Sequence, residues 1–332
     1  MPIGIISTGL CVGENIQTNK QLEQVVKNFN PILAKSSLDE WYSKHYGINT
    51  RVKTNKQPSD LAVSACKEAI KNAGIDIQRV DFLILNTTTG DFKQPTTATK
   101  VQTALGMRKD SFALEINMPC AGNIYGLAVT NGFIKTGLGS YGLVVGVDKM
   151  STNIDEEEFV LSGMFGDAAS AALVGPNCRF EFGAFYLGSE GDKNQTLIIP
   201  SSGSAIPLSK ESIDNKDHLL KMNGKATEEF IARTVRECVE GLLSKSNCQI
   251  SDVDQLILHQ ASKPILERVT SELGFNQNQL FFTVEKYGNT SSASILLTLH
   301  EYLNQAPKQS RHIFLVGMGS GLNWGGLYLK GL

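Results

Sequence analysis

Val80-Asp81-Phe82-Leu83-Ile84-Leu85-Asn86 recurs, little altered, as Val253-Asp254-Gln255-Leu256-Ile257-Leu258-His259. Each run reads as a short apolar strand, and each follows an amphipathic helical pattern, residues 61–73 in one case and 227–244 in the other. The correspondence continues downstream. Leu105-Gly106 matches Leu273-Gly274, and Leu143-Val144-Val145-Gly146 matches Phe314-Leu315-Val316-Gly317, at offsets of 168 (105 to 273) and 171 residues (145 to 316). A nearly constant offset means one α/β unit written twice. Apolar strands alternating with helices predict, in each half, a mainly parallel sheet covered by helices on both faces. The two halves are expected to pack as a pseudo-dimer within one chain. The turn cluster Gly175-Pro176-Asn177 separates them, giving units 1–174 and 175–332.

The repeat also assigns the chemistry a place. In Ala113-Leu114-Glu115-Ile116-Asn117-Met118-Pro119-Cys120-Ala121-Gly122-Asn123, Cys120 falls where a strand ends and a helix begins. Ile124, Tyr125, Leu127, Ala128, Val129, Phe133 and Ile134 make that helix apolar on every side, so it is expected to be enclosed by protein. Its free N-terminal amides and positive dipole end would then favour thiolate over thiol and lower the pKa. Taken singly, each polar residue has a plainer reading. Buried cysteines are mostly inert, His259 reads as a satisfied strand-end histidine, and Asn289 after Gly288 reads as a turn residue. Their positions change the weighing. Asn289 occupies in the second half the place Cys120 holds in the first, and His259 ends the strand that matches the one ending at Asn86. All three therefore gather at the carboxyl ends of strands, where α/β sheets build their sites.

The chain has 332 residues, enough for a large core or two ordinary domains. Its 31 basic and 33 acidic residues leave a net charge of −2, so no global field argues for nucleic acid or an anionic membrane as partner. The six cysteines, Cys11, Cys66, Cys120, Cys178, Cys238 and Cys248, form no Cys-x-x-Cys pair and have no histidine at metal-ligand spacing, which argues against a zinc site or a disulfide framework. Residues 1–13 read as a first strand rather than a signal peptide, and no apolar run approaches the roughly 20 residues that span a bilayer. A cytoplasmic protein is expected. Gly317-Met318-Gly319-Ser320-Gly321 looks like a dinucleotide loop, but a short strand follows it where a helix is required. The run Asp155-Glu156-Glu157-Glu158 reads as a solvated loop.

A wider set of motifs resembles the thiolase-fold condensing enzymes, and most closely the β-ketoacyl-acyl-carrier-protein synthase III family. It comprises Asp39-Glu40-Trp41 with Gly47-Ile48, Cys120-Ala121-Gly122, Phe165-Gly166-Asp167, Met222-Asn223-Gly224, His259-Gln260-Ala261, Tyr287-Gly288-Asn289-Thr290-Ser291-Ser292-Ala293-Ser294 and Gly319-Ser320-Gly321-Leu322-Asn323-Trp324-Gly325. The Cys-His-Asn combination separates this chain from thiolases, which use a second cysteine, and from elongating ketoacyl synthases, which use two histidines. The resemblance implies a layered α/β/α/β/α thiolase-like fold, a homodimer, and no cofactor or metal. It implies decarboxylative Claisen condensation, in which Cys120 takes the acyl group from a coenzyme A or carrier-protein thioester. His259 and Asn289 would then hold the enolate of a malonyl-type or β-ketoacyl thioester, the former on acyl carrier protein, and the backbone amides of Cys120 and Ser320 would form the oxyanion hole. The rival readings are transfer of the acyl group from Cys120 to an oxygen or nitrogen acceptor without decarboxylation, and an inactive acyl-binding partner.

Departures from the family pattern bear on the substrate. Trp41 matches a tryptophan that stacks near the adenine of coenzyme A, but His45 and Tyr46 replace the basic pair that follows, and Phe159 stands where an arginine completes the clamp. Lys221 and Lys225 are candidates to compensate. Pro264 replaces an arginine that meets the carrier protein, with Lys263 and Arg268 left as docking charges, while Ser262 as cap and Pro264 in the first turn make a good helix start. Gln94 replaces a phenylalanine that lines the acyl pocket from the partner subunit. These changes point to specialised metabolism rather than the initiation of fatty acid synthesis.

Overall fold

The computed structural model describes residues 1–305 and 310–332. Its main sheet has nine strands: β1 (Ile3–Val12), β2 (Phe82–Asn86), β3 (Phe112–Ile116), β4 (Gly142–Lys149), β5 (Asp167–Pro176), β6 (Phe180–Ser189), β7 (Gln255–Leu258), β8 (His312–Gly319) and β9 (Asn323–Gly331). They lie in the order β7-β8-β9-β6-β1-β5-β4-β2-β3. The longer helices are α1 (Leu38–Tyr46), α2 (Pro58–Ala73), α3 (Thr97–Leu105), α4 (Gly122–Lys135), α5 (Gly224–Ser246), α6 (Lys263–Leu273) and α7 (Ser294–Gln305).

The repeat is visible in this order. β1-α2-β2-α3-β3-α4-β4-β5 is answered by β6-α5-β7-α6-α7-β8-β9, with one strand missing. The counterpart of β3 is reduced to a single parallel bridge, Leu256 to Leu280. Side chains have taken the backbone groups a ladder would use: Gln255 Nε2 donates to the Gln279 carbonyl, and the Thr283 and Val284 amides donate to Gln260 Oε1.

Three apolar layers hold the halves together. α2 and α3 cover the outer face of the first half through Leu61, Ala65 and Val101 against Leu83, Leu85 and Val145. α5 and α6 cover the second through Val235, Leu242 and Leu266 against Leu256, Phe314 and Val316. Between the half-sheets lie α4 and α7, whose Ile124, Leu127, Ile295 and Leu299 meet Val144 and Ala172 from one side and Ile257 and Leu315 from the other. This is the expected five-layered α/β/α/β/α arrangement. Each such leucine or isoleucine, fully buried, stabilises the fold by about 1.5–3 kcal/mol, so the central layer makes separation of the halves costly. A short ladder, Gly4 to Glu181 and Ile5 to Phe180, joins the half-sheets edge to edge.

The mainly parallel sheet expected from strand and helix alternation is not what forms. Only β2 with β3, β2 with β4 and β7 with β8 are parallel; the other neighbouring pairs are antiparallel. The connections decide this. Ser320-Gly321-Leu322 is too short for a crossover and forces β8 and β9 into a hairpin. α4 is enclosed as expected over its first turns, but Gly132 and Lys135 at its end reach the surface.

Candidate active site

Cys120 sits on a tight elbow between β3 and α4, with φ +62, a left-handed conformation unusual for a residue bearing a Cβ. The amide of Ala121 turns back to the Pro119 carbonyl at 2.6 Å, which aims the Cys120 side chain off the end of the strand. Gly319 presses against this elbow. A Cβ there would lie 2.3 Å from the Pro119 oxygen and 2.9 Å from the Cys120 Cβ, so the closing loop approaches the nucleophile this closely only without a side chain. Cys120 Sγ is 3.8 Å from Ser291 Oγ. The expected lowering of its pKa does not appear. Burial pushes the thiol up to about 12, with the Ser291 hydroxyl opposing and the charge of Asp148 adding to the rise.

His259 follows β7, its amide donating to the Val316 carbonyl at 2.8 Å. The residue is buried, and desolvation of the charged ring lowers its pKa to about 3, so the imidazole is neutral at any working pH. Its Nδ1 has no hydrogen-bond partner among the described residues. Asn289 is pinned by its backbone: its amide donates to the Met164 carbonyl at 2.8 Å and its carbonyl accepts from Gly166 at 3.0 Å. The Ser291 amide donates to Asn289 Oδ1 at 2.9 Å, which fixes the amide plane and leaves Nδ2 as the group offered to the site.

One cavity of about 510 Å³ has Cys120, His259, Asn289 and Ser320 in its wall, together with Ser291 and Gly319. The rest of the wall is mostly apolar, with Met164, Phe165, Leu220, Met222, Phe230 and Ile265 among its members. Trp41 reaches it from α1, a helix fixed by a Ser37–Glu40 capping box. Of the other substrate-binding candidates, Phe159, Lys225 and Lys263 do not line it, and Gln94 is expected to line the pocket of a partner subunit rather than that of its own chain. Phe159 packs edge-on against Trp41, ring centroids 5.0 Å apart, without joining the wall. Lys225 is exposed beside Gly224, and Lys263, at the start of α6, is engaged with Glu285 at 2.6 Å. Gln94 is exposed on a loop of the same chain. Ser262 stands at the start of α6 as expected but does not cap it; its hydroxyl donates to the His45 carbonyl at 3.1 Å.

Two features had no part in the sequence reading. Asp148, fully buried at the end of β4, accepts from the hydroxyls of Thr87, Thr88, Thr89 and Ser292 and from the amides of Thr88 and Ser292, at 2.5–3.2 Å. Asn123 Nδ2 adds a bond to the Ser292 carbonyl at 2.7 Å. Together they tie the turn that follows Asn289 to the first half. The threonine run 87–89 was the available signal. The acidic run is a solvated loop as expected, and its charges are paired at the surface: Asp155 with Lys216, Glu156 with Lys53 and Glu157 with Lys27, while Glu158 caps the turn Phe159–Ser162.

Profiles of the 3-oxoacyl-acyl-carrier-protein synthase III family match residues 114–191, and of its C-terminal part residues 243–330. A β-ketoacyl-acyl-carrier-protein synthase III of Natranaerobius thermophilus is 34% identical over 333 residues, covering 98% of both chains. The chain belongs to the β-ketoacyl-acyl-carrier-protein synthase III family. Solved structures agree with that. The Aquifex aeolicus VF5 synthase III superposes with a TM-score of 0.86 at 30% identity, covering 99% of each chain. The Pseudomonas aeruginosa PAO1 synthase III gives 0.88 at 29% identity, with 99% of this chain and 98% of that one covered. The protein is thus a condensing enzyme, a transferase that joins acyl groups by decarboxylative Claisen condensation. No helix among the described residues is long and apolar enough to cross a membrane.

Proposed function

We propose that the enzyme loads an acyl group onto Cys120 and condenses it with a malonyl-type thioester held on an acyl carrier protein. One observation supports this above the others: Cys120, His259, the Nδ2 of Asn289 and the Gly319-Ser320 loop converge on one cavity. Cys120 attacks the donor thioester carbonyl, the tetrahedral oxyanion is held by the amides of Cys120 and Ser320, and the thiol proton leaves with the departing thiolate. The malonyl thioester then loses CO₂. Its thioester oxygen becomes an enolate that accepts hydrogen bonds from Asn289 Nδ2 and from the neutral ring of His259 through Nε2. The resulting carbanion attacks the acyl-cysteine and releases Cys120. A histidine whose charged form is suppressed by burial suits a donor to an enolate better than it suits a base.

The units 1–174 and 175–332 divide this work, the first bringing the nucleophile and the second the decarboxylating pair. A homodimer fits the open edge of the sheet: β3 is its last strand, and Leu114 there is 39% exposed. A cytoplasmic location fits six cysteines that are all free thiols.

Intact-mass spectrometry with a panel of acyl thioesters, coupled to CO₂ release from a malonyl thioester, tests the roles. Cys120→Ala should lose the acyl adduct entirely. His259→Ala and Asn289→Ala should keep loading but lose decarboxylation by about 10²- to 10³-fold, the usual cost of one oxyanion donor. Acyl transfer from Cys120 to an alcohol or amine without CO₂ release would replace condensation as the reading.

A further inference from the structure

Two residues that carry a Cβ hold left-handed backbone in the wall of the Cys120 cavity, one from each half: Cys120 with φ +62 and Ser291 with φ +48. They stand 171 residues apart (120 to 291), the offset that relates Val145 to Val316, and each leads into a helix of the central layer, α4 after Cys120 and α7 after Ser291. By spacing and by backbone, Ser291 rather than Asn289 is the counterpart of Cys120. The fold sets the two elbows face to face, with Sγ and Oγ 3.8 Å apart. Ser291 is buried and firmly placed: its amide donates to Asn289 Oδ1 at 2.9 Å, and the next residue, Ser292, is held by Asp148. Its hydroxyl makes no other hydrogen bond among the described residues.

That contact meets a need of the chemistry. Burial pushes the Cys120 thiol up to about 12, so the nucleophile enters the reaction as S–H, while the departing sulfur of an alkyl thioester leaves more easily with a proton. The other titratable groups facing the thiol supply no base. Asp148 is bonded to Thr87, Thr88, Thr89 and Ser292, and burial holds His259 neutral with a pKa of about 3. Farther along the wall, His45 stacks on Trp41, burial raises the Tyr46 phenol, and Glu228 is paired with Arg268 at 2.7 Å. No lysine or arginine lines the cavity among the described residues. We propose that Ser291 is the proton relay for acylation of Cys120. As Sγ bonds to the acyl carbon, the thiol proton passes to Ser291 Oγ. The Ser291 hydroxyl proton passes to the departing sulfur as its bond to carbon breaks, and the donor leaves as a neutral thiol. Serine is regenerated, and no proton is exchanged with solvent. In the tetrahedral intermediate both sulfurs are bonded to one carbon, so a hydroxyl against Sγ also stands beside the departing sulfur. The relay rests on acylation of Cys120 as read above.

The test is the pH profile of single-turnover loading of the full-length enzyme, read by intact mass with whichever of a panel of straight- and branched-chain acyl-coenzyme A thioesters loads fastest. Wild type is compared with Ser291→Ala and Ser291→Gly. Both variants remove the hydroxyl and keep the amide that holds Asn289, and glycine adopts φ +48 without strain. Between about pH 7.5 and 9.5, above the ordinary histidine range, wild-type loading should be flat, because the neutral thiol reacts and its proton stays in the site. The variants should load about 10²- to 10⁴-fold more slowly at about pH 7.5, the usual contribution of a positioned acid–base group. Their rates should then climb about tenfold per pH unit, because they depend on the small thiolate fraction. A wild-type profile that climbs in the same way overturns the relay, since the thiolate would then form before attack. Variants whose profiles stay flat, whatever their rates, overturn it as well, because a packing role lowers loading without changing its pH dependence. If Ser291→Ala fails to fold, Ser291→Gly decides. Absence of a Cys120 adduct from the wild type with every donor would instead overturn the acyl-enzyme reading itself, a result distinct from an adduct that forms with the wrong pH dependence.

Discussion

His259 shows most plainly how surroundings, rather than residue type, set a chemical state. Its ring is 2% exposed and its pKa falls to about 3, so the folded protein holds it neutral where the unfolded chain protonates it near pH 6.5. Between those values the unfolded state binds the extra proton, and stability falls as pH is lowered. At pH 5 the cost is about 2 kcal/mol relative to pH 8. We therefore expect the wild type to lose about that much more stability than His259→Asn between pH 8 and pH 5, measured by urea unfolding; parallel pH dependences would show that the ring is charged in the fold. Cys120, His259 and Asn289 could each be named from the sequence because they fall at matching places in a repeat. Ser291 could not, since its contact with Cys120 depends on two segments 171 residues apart meeting side by side.

Elements meet at Asp148. β4 ends on this carboxylate, and six donors from the turn after β2 and from Ser292 converge on it. Asparagine in its place turns an –NH₂ toward donors and leaves buried groups unpaired. Asp148→Asn is expected to cost about 2–4 kcal/mol in unfolding free energy. It should also weaken decarboxylation more than Cys120 loading, because Ser292 positions the turn bearing Asn289; equal losses in both would mean Asp148 acts on the fold alone. The strand directions illustrate the limit of pattern reading at this scale. Apolar runs separated by helices suggest parallel pairing, but the three residues after Gly319 are too few for a crossover and force β8 and β9 into a hairpin, and β9 with β6, β6 with β1, β1 with β5 and β5 with β4 are antiparallel as well.

At the scale of the molecule, the open edge at β3 is the unsatisfied part of the design. It presents unpaired backbone groups beside the exposed Leu114, and a second copy related by a twofold axis would complete it. Leu114→Glu should shift the enzyme toward monomer in sedimentation velocity, since two like charges would then face each other across the axis; an unchanged dimer would place the interface elsewhere. Most of the fold was legible before any coordinates. The repeated strand of residues 80–86 and 253–259 dictated two α/β units, because a hydrophobic run between amphipathic helices has few ways to bury itself, and it placed Cys120 and His259 at strand ends; Asn289, expected at a third, instead follows the short helix Val284–Tyr287, since the strand matching β3 does not form. Tertiary structure alone decided the protonation of Cys120 and His259, the bonding of Asp148 and the absence of cations from the cavity wall. Desolvation and ion pairing depend on which distant side chains arrive beside a group, and spacing along the chain does not specify that.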